Sequence, residues 1–210
     1  MARPKAKEQR DTRAEIVAAA LDLFAEKGFH GTSVRDIARA VGVRESALYN
    51  HFENKDAIFE QVLFAPDAND HPMLGPPRFP TFDGGADELP AFLEQLLAEV
   101  ADRFDGDAQR KRFRIMLTDG IRLAQAGELD PFSRIFPLRL SALELLQSLI
   151  ARGLLRGDRP EQLLISFLAP VFVWRVFDAA APDALPRPDR RPFIAAHVRT
   201  FLQGCAGEAR

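Results

Sequence analysis

The residues best suited to chemistry cluster between Ser33 and Phe52, SVRDIARAVGVRESALYNHF. Arg44, Glu45, Ser46, Tyr49, Asn50 and His51 bring charged, hydroxyl, amide and imidazole groups into one short run. Ala47, Leu48 and Phe52 are interleaved with them and apolar. On a helix the apolar three face inward and the polar six point out. An outward arginine suits a base edge, and other outward polar groups suit phosphates, which position a protein without reading sequence. The pattern is one of recognition, not bond breaking. No G-x-x-x-x-G-K-[ST] phosphate loop, H-E-x-x-H zinc pair or G-x-S-x-G elbow occurs. His30, His51, His71 and His197 lie far apart without ligand spacing. The carboxylates fall on solvated helix faces. No catalytic residue, cofactor or metal is expected.

Two helices must hold that outward set. Ser33 can cap the first, with Asp36 completing a capping box. Val34, Ile37, Ala38 and Val41 then give it an apolar face. Gly42 follows, where a left-handed residue ends a helix cheaply. Val43 plugs the turn, and a second helix is expected over roughly Arg44–His51. A helix-turn-helix lays its second helix in the major groove while the first crosses the backbone. An ordinary helical hairpin with a solvated face would show the same spacing.

The residue identities separate these readings. Thr32, Ser33, Val34, Ile37, Ala38, Gly42, Val43, Leu48, Tyr49, His51, Phe52, Lys55 and Ile58 resemble the signature of the TetR family of bacterial transcription regulators. Ile16, Ala19, Ala20, Leu23, Phe24, Gly28 and Phe29 continue the resemblance upstream. Arg44 departs from it, standing where the family usually has a small capping Ser or Thr. Capping there is then weaker or comes from elsewhere, and Arg44 is freed for a phosphate or a base.

The resemblance implies an all-α fold: a three-helix DNA-binding domain, here 1–54 with a basic N-terminal arm, and a helical ligand-binding and dimerisation domain, here 55–210. It implies a homodimeric, ligand-responsive regulator on an operator of double-stranded DNA, expected to be a repressor released by a small apolar or aromatic molecule. Ligand binding would move the fourth helix and change the separation of the reading heads. Arg44, Glu45, Ser46 and Asn50 form the expected base-reading set. Thr32, Ser33, Tyr49, His51 and Lys55 form the expected phosphate set. The alternatives are a regulator whose second domain binds a protein partner, and an all-helical enzyme or carrier with a coincidental motif.

The totals agree with a soluble globular protein: 210 residues, 47% apolar, 28% charged, net charge −2. No apolar run approaches bilayer length by inspection, so no membrane partner is expected. The N-terminus lacks the apolar stretch of a signal peptide, and the single Cys205 rules out an internal disulfide. The expected compartment is the cytoplasm. Arg3, Lys5, Lys7, Arg10 and Arg13 could add phosphate contacts or serve as a solubilising tail.

Elsewhere the chain is read as helices. The first runs from about Thr12 to Lys27, with Thr12 and Glu15 as a box, and a fourth from about Lys55 to Phe64, capped by Asn54. Prolines break the pattern over 65–86, although Phe79 and Phe82 could pack. Helices follow over about 87–104, 108–126, 131–152 (capped by Asp130, kinked at Pro137), 158–178 and 191–205. Phe92, Phe113, Leu117, Phe136, Phe172 and Trp174 are the candidate ligand pocket, with Arg114, Asp119, Arg122, Arg139 and Arg175 as possible anchors. Phe167, Val171, Ile194, Val198 and Phe201 are the candidate dimer interface.

Overall fold

The computed structural model describes residues 11–64, 79–130, 136–180 and 189–205. The N-terminal arm, the loop residues Met73 and Leu74, and the expected helix start at Pro131 lie outside them. Among the described residues there are helices and no strand. They form two compact units, Met1–Ala65 and Pro66–Arg210.

The first unit holds α1 (Thr12–Lys27), α2 (Val34–Val41), α3 (Glu45–Leu48) and α4 (Lys55–Phe64). Asp11 caps α1 by accepting from Ala14 N at 3.1 Å, replacing the expected Thr12 cap. Asn54 Oδ1 caps α4 through Ala57 N at 2.8 Å. Ile16, Ala20 and Phe24 of α1 are buried, as are Ile37 of α2 and Leu48 of α3. Phe24, Phe29 and Phe59 close the core with ring centroids 5.0–5.8 Å apart. Burying one such ring stabilises by about 2–3 kcal/mol. Because α4 supplies Phe59 and packs on α1, this compact unit includes α4 and continues past residue 54.

The second unit begins with α5 (Leu89–Asp102). The helix α6 (Asp107–Ile115) passes through a π-helical turn at Met116–Gly120 into α7 (Ile121–Ala126). Then come α8 (Phe136–Ala151), α9 (Pro160–Ala180) and α10 (Arg190–Cys205). Pro160 opens α9, where its missing N–H is no loss. Leu93 and Leu97, Leu145 and Leu149, Phe167 and Val171, and Ile194, Val198 and Phe201 form one core. Phe82 joins it, held by Arg152, which donates to the carbonyls of Phe82 and Gly84 and stacks on the Phe82 ring.

Two expectations for α9 are corrected. Leu163, Leu164, Phe167, Leu168, Val171, Phe172 and Val176 are apolar on more than one face, which predicts a helix buried on both sides. Only one face packs inward, whereas Ile165, Phe172, Val173, Val176 and Phe177 are exposed. Its Pro160–Ala179 stretch, of mean hydropathy 1.4, is long and apolar enough to cross a membrane by composition alone. Of that stretch 28% is buried, and its packed face carries the ion pair of Arg175 and Asp178.

Candidate nucleic-acid interface and a cavity in the second unit

The reading helix is positioned by backbone chemistry before any ligand arrives. Ser33 Oγ accepts from Asp36 N at 3.1 Å, and Asp36 Oδ2 accepts from Ser33 N at 3.1 Å. The Ser33 hydroxyl and N–H bonds hold the Asp36 carboxyl below its ordinary pKa. Gly42 ends α2 at φ 76° and ψ 29°. A Cβ there would meet nothing within 4 Å, so glycine is needed for the backbone angle alone. Val43 N then returns to Ala38 O at 3.0 Å.

Past that turn Arg44 is extended and makes no side-chain cap, as its departure from Ser or Thr implied. Regular helix covers only Glu45–Leu48, shorter than expected, and bonds from His51 N and Phe52 N to Leu48 O carry the turn onward. Leu48 and Phe52 plug the core. Arg44, Glu45, Ser46, Asn50 and His51 are exposed, and Tyr49 is 52% exposed. All six outward residues are therefore open to solvent.

Two members of the expected phosphate set have other work. Thr32 is buried, and its hydroxyl donates to Gly28 O at 2.9 Å and Leu23 O at 3.2 Å. Lys55 Nζ donates to Phe29 O at 2.8 Å and Thr32 O at 3.0 Å. Both brace the link between α1 and α2. Ser33 is exposed, with its hydroxyl in the cap.

The second unit contains a cavity of about 320 Å³. Ala101, Val171, Trp174, Phe193 and Ile194 make its apolar wall. Asp105, Arg175, Asp178 and Arg190 make its polar wall. Of the expected pocket residues only Trp174 lies here. Phe113 and Phe172 pack with Phe104, at 5.4 and 5.6 Å from its ring. Phe92 pairs with Phe82 at 4.7 Å, Leu117 is absent from the lining, and the Phe136 side chain lies outside the described residues. The anchor Arg175 is present, whereas Arg122 is taken by Asp119 at 2.7 Å. Asp105 and Arg190 were missed, and their only signal was charge beside a helix end.

The expected dimer residues lie inside one chain. Phe167, Val171, Ile194, Val198 and Phe201 are buried inside this unit's own core. Val171 and Ile194 also line the cavity.

A capped two-helix reader presenting one polar face defines a helix-turn-helix protein. Residues 16–62 match the model for bacterial regulatory proteins of the tetR family. Over these residues the chain is similar to TetR-family regulators. A 49-residue segment is 45% identical to the IcaR negative transcriptional regulator of the biofilm operon icaADBC from Staphylococcus aureus (strain Newman), covering 23% of this chain and 26% of IcaR. A 51-residue segment is 43% identical to the transcriptional repressor KstR2 of Rhodococcus jostii (strain RHA1), covering 24% of this chain and 25% of KstR2. The match thus spans about a quarter of these curated relatives. Over nearly the whole fold, the structure of Salmonella enterica GusR superposes with TM-score 0.67 at 25% identity, covering 96% of this chain and 98% of that one.

Proposed function

We propose that this chain is a homodimeric transcription repressor that binds a palindromic operator and is released by a small molecule. The observation that carries the reading is the α3 surface. Arg44, Glu45, Ser46, Asn50, Tyr49 and His51 are all exposed there, while Ser33 and Gly42 fix both ends of the helix that precedes it. Arg44, Glu45, Ser46 and Asn50 read base edges. Tyr49, His51 and the α2 N-terminus at Ser33 hold phosphates. Repression is supported by IcaR, a negative transcriptional regulator, and KstR2, a transcriptional repressor, each similar to this chain over about a quarter of its own length.

Pairing of two copies through α9 supplies the second reading head. Ile165, Phe172, Val173 and Val176 recur at helical spacing along its exposed face. An apolar stripe of this kind marks an interaction site, and a two-fold pair of readers needs a partner of the same sequence. The cavity beside Trp174 holds the effector, and operator and effector must weaken each other reciprocally.

Selection of duplexes from a random pool tests the reading. The enriched sites should be palindromic, with half-sites roughly 34 Å or a multiple apart. A pool that never converges would overturn it.

A further inference from the structure

We propose that the cavity binds an aromatic or alicyclic carboxylate, and that Asp105 is a built-in occupant which this ligand displaces. This inference rests on the effector reading above and names the chemistry of its site.

Arg175 on α9 donates from Nη2 to Asp105 Oδ1 at 2.5 Å and to Ala101 O at 3.0 Å. Arg190, the first residue of α10, donates to the other oxygen of Asp105 and to Asp102. One carboxylate therefore lies across two guanidinium groups from two helices, one oxygen to each. Such charge-assisted bonds are the geometry in which arginine recognises a carboxylate. Burial opposes ionisation of Asp105, but the bonds from Arg190 and Arg175 outweigh it and hold its pKa below the ordinary value. The occupant is a carboxylate anion at neutral pH.

The two sides of this contact are unequally fixed. The Arg175 side chain is 9% exposed and tied to a backbone carbonyl, whereas the Asp105 side chain is 45% exposed. Asp105 belongs to the short link between α5 and α6, next to Gly106 at φ 92°. Arg175 keeps Asp178, 3.6 Å from its Nη1, when Asp105 leaves. The Nη2 hydrogen that faces Asp105 still needs an acceptor. That acceptor is Asp105 when the cavity is empty and the ligand when it is occupied.

The remaining lining sets the rest of the ligand. Trp174, Phe193, Val171 and Ile194 offer its body an apolar wall. A volume of about 320 Å³ is at the small end of ligand pockets, suited to one or two rings. Asp102, Asp105 and Asp178 stand against Arg175 and Arg190 around the Asp105 seat. Exchange of Asp105 for a ligand carboxylate leaves that balance unchanged and gives both guanidinium groups an acceptor again. An ammonium has no acceptor to offer them. Release of Asp105 loosens the α5–α6 link next to Phe104, whose ring packs on Phe113 of α6 and Phe172 of α9. Ligand entry thereby reaches a core contact between two helices.

The test is calorimetric titration of the full chain with benzoate, 2-naphthoate, 2-naphthamide and 2-naphthylmethylamine. The wild type should bind at least one carboxylate in preference to the amide and the amine. Asp105→Asn removes the charged competitor and should tighten carboxylate binding about tenfold, a difference readily read from Kd. Arg190→Gln should weaken it by a similar factor. Failure of both carboxylates to bind, or binding that Asp105→Asn leaves unchanged or weaker, overturns the proposal. If Asp105→Asn does not fold by circular dichroism, undiminished carboxylate binding by Arg190→Gln overturns it instead. Mobility shift on the same wild-type sample separates the two levels. Operator binding without any carboxylate response defeats this inference alone, whereas absence of specific DNA binding defeats the functional reading beneath it.

Discussion

The Lys55 ammonium lies 4.1 Å from the centroid of the Phe29 ring. It also donates to the carbonyls of Phe29 and Thr32, at 2.8 and 3.0 Å. The first residue of α4 thus closes the segment between α1 and α2. Two charge-assisted bonds and a cation–π contact outweigh what one solvated lysine would contribute. Lys55→Met keeps the apolar stem and loses the donors, and should destabilise the protein by about 2 kcal/mol. Chemical denaturation measures this. A stability equal to wild type, with DNA affinity alone reduced, would return Lys55 to the phosphate set.

Thr32 makes the companion case. Its buried hydroxyl bonds to Gly28 O and Leu23 O. Thr32→Val has the same shape without the donor and should lose about 1–2 kcal/mol of stability. The salt dependence of DNA binding should stay at the wild-type slope, because no phosphate contact is removed. A shallower slope would show that Thr32 reaches the duplex.

On the proposed reading surface, Arg44 and Tyr49 are expected to differ. Arg44→Ala should relax preference at one base pair by about 1–3 kcal/mol if its contact is bidentate. Tyr49→Phe should weaken binding to all sequences alike, since a phosphate carries no base information. A panel of operator variants decides between them. Changed sequence preference in Tyr49→Phe would sink its assignment.

The faces of α9 give opposite expectations for two charge insertions. Phe201 of α10 is buried against Phe167 of α9, with ring centroids 5.2 Å apart. Phe201→Glu should therefore unfold the second unit, because a charge enters its core unpaired. Val173 is 53% exposed and Ile165 is 67% exposed. Val173→Glu should leave the fold intact by circular dichroism and shift sedimentation from dimer to monomer. A folded Phe201→Glu monomer would restore the interface expected from sequence.

These cases also show which features the sequence discloses. The α2 box and the Gly42 stop are legible because their signals are local: a side chain and a backbone group within a few residues of each other. The α10 stripe of Ile194, Val198, Phe201 and Cys205 is legible because helical spacing alone predicts it. Lys55 is not, since its acceptors stand 26 and 23 residues upstream. Nor is the Asp105 seat, which joins side chains 70 and 85 residues apart. The inner face of α9 is hidden for a different reason. Phe167 and Val171 are as apolar as Phe172 and Val173, so periodicity offers two stripes, and only the neighbours α5, α6, α8 and α10 decide which is covered.

Cys205 closes the α10 stripe and gives the second unit a pH signature. The thiol is buried, its Sγ donates to Phe201 O at 2.8 Å, and burial raises its pKa from 9.0 to about 11. In the unfolded chain the thiol ionises near 9.0, while the folded protein holds its proton until about 11. Between those values the unfolded state binds fewer protons. The contribution is therefore complete below pH 9 and is lost progressively as pH rises through 11. Cys205→Ala removes this titration but leaves the lysines and Tyr49 in place, so the difference between the two proteins isolates the thiol. Unfolding free energies from pH 7 to 11 should converge: the wild-type advantage, constant at low pH, shrinks above 9. The same burial predicts slow modification by a thiol reagent at pH 8, accelerated by denaturant. A parallel pair of stability curves, or rapid labelling of the native protein, would place Cys205 in contact with solvent and contradict its burial at the end of α10.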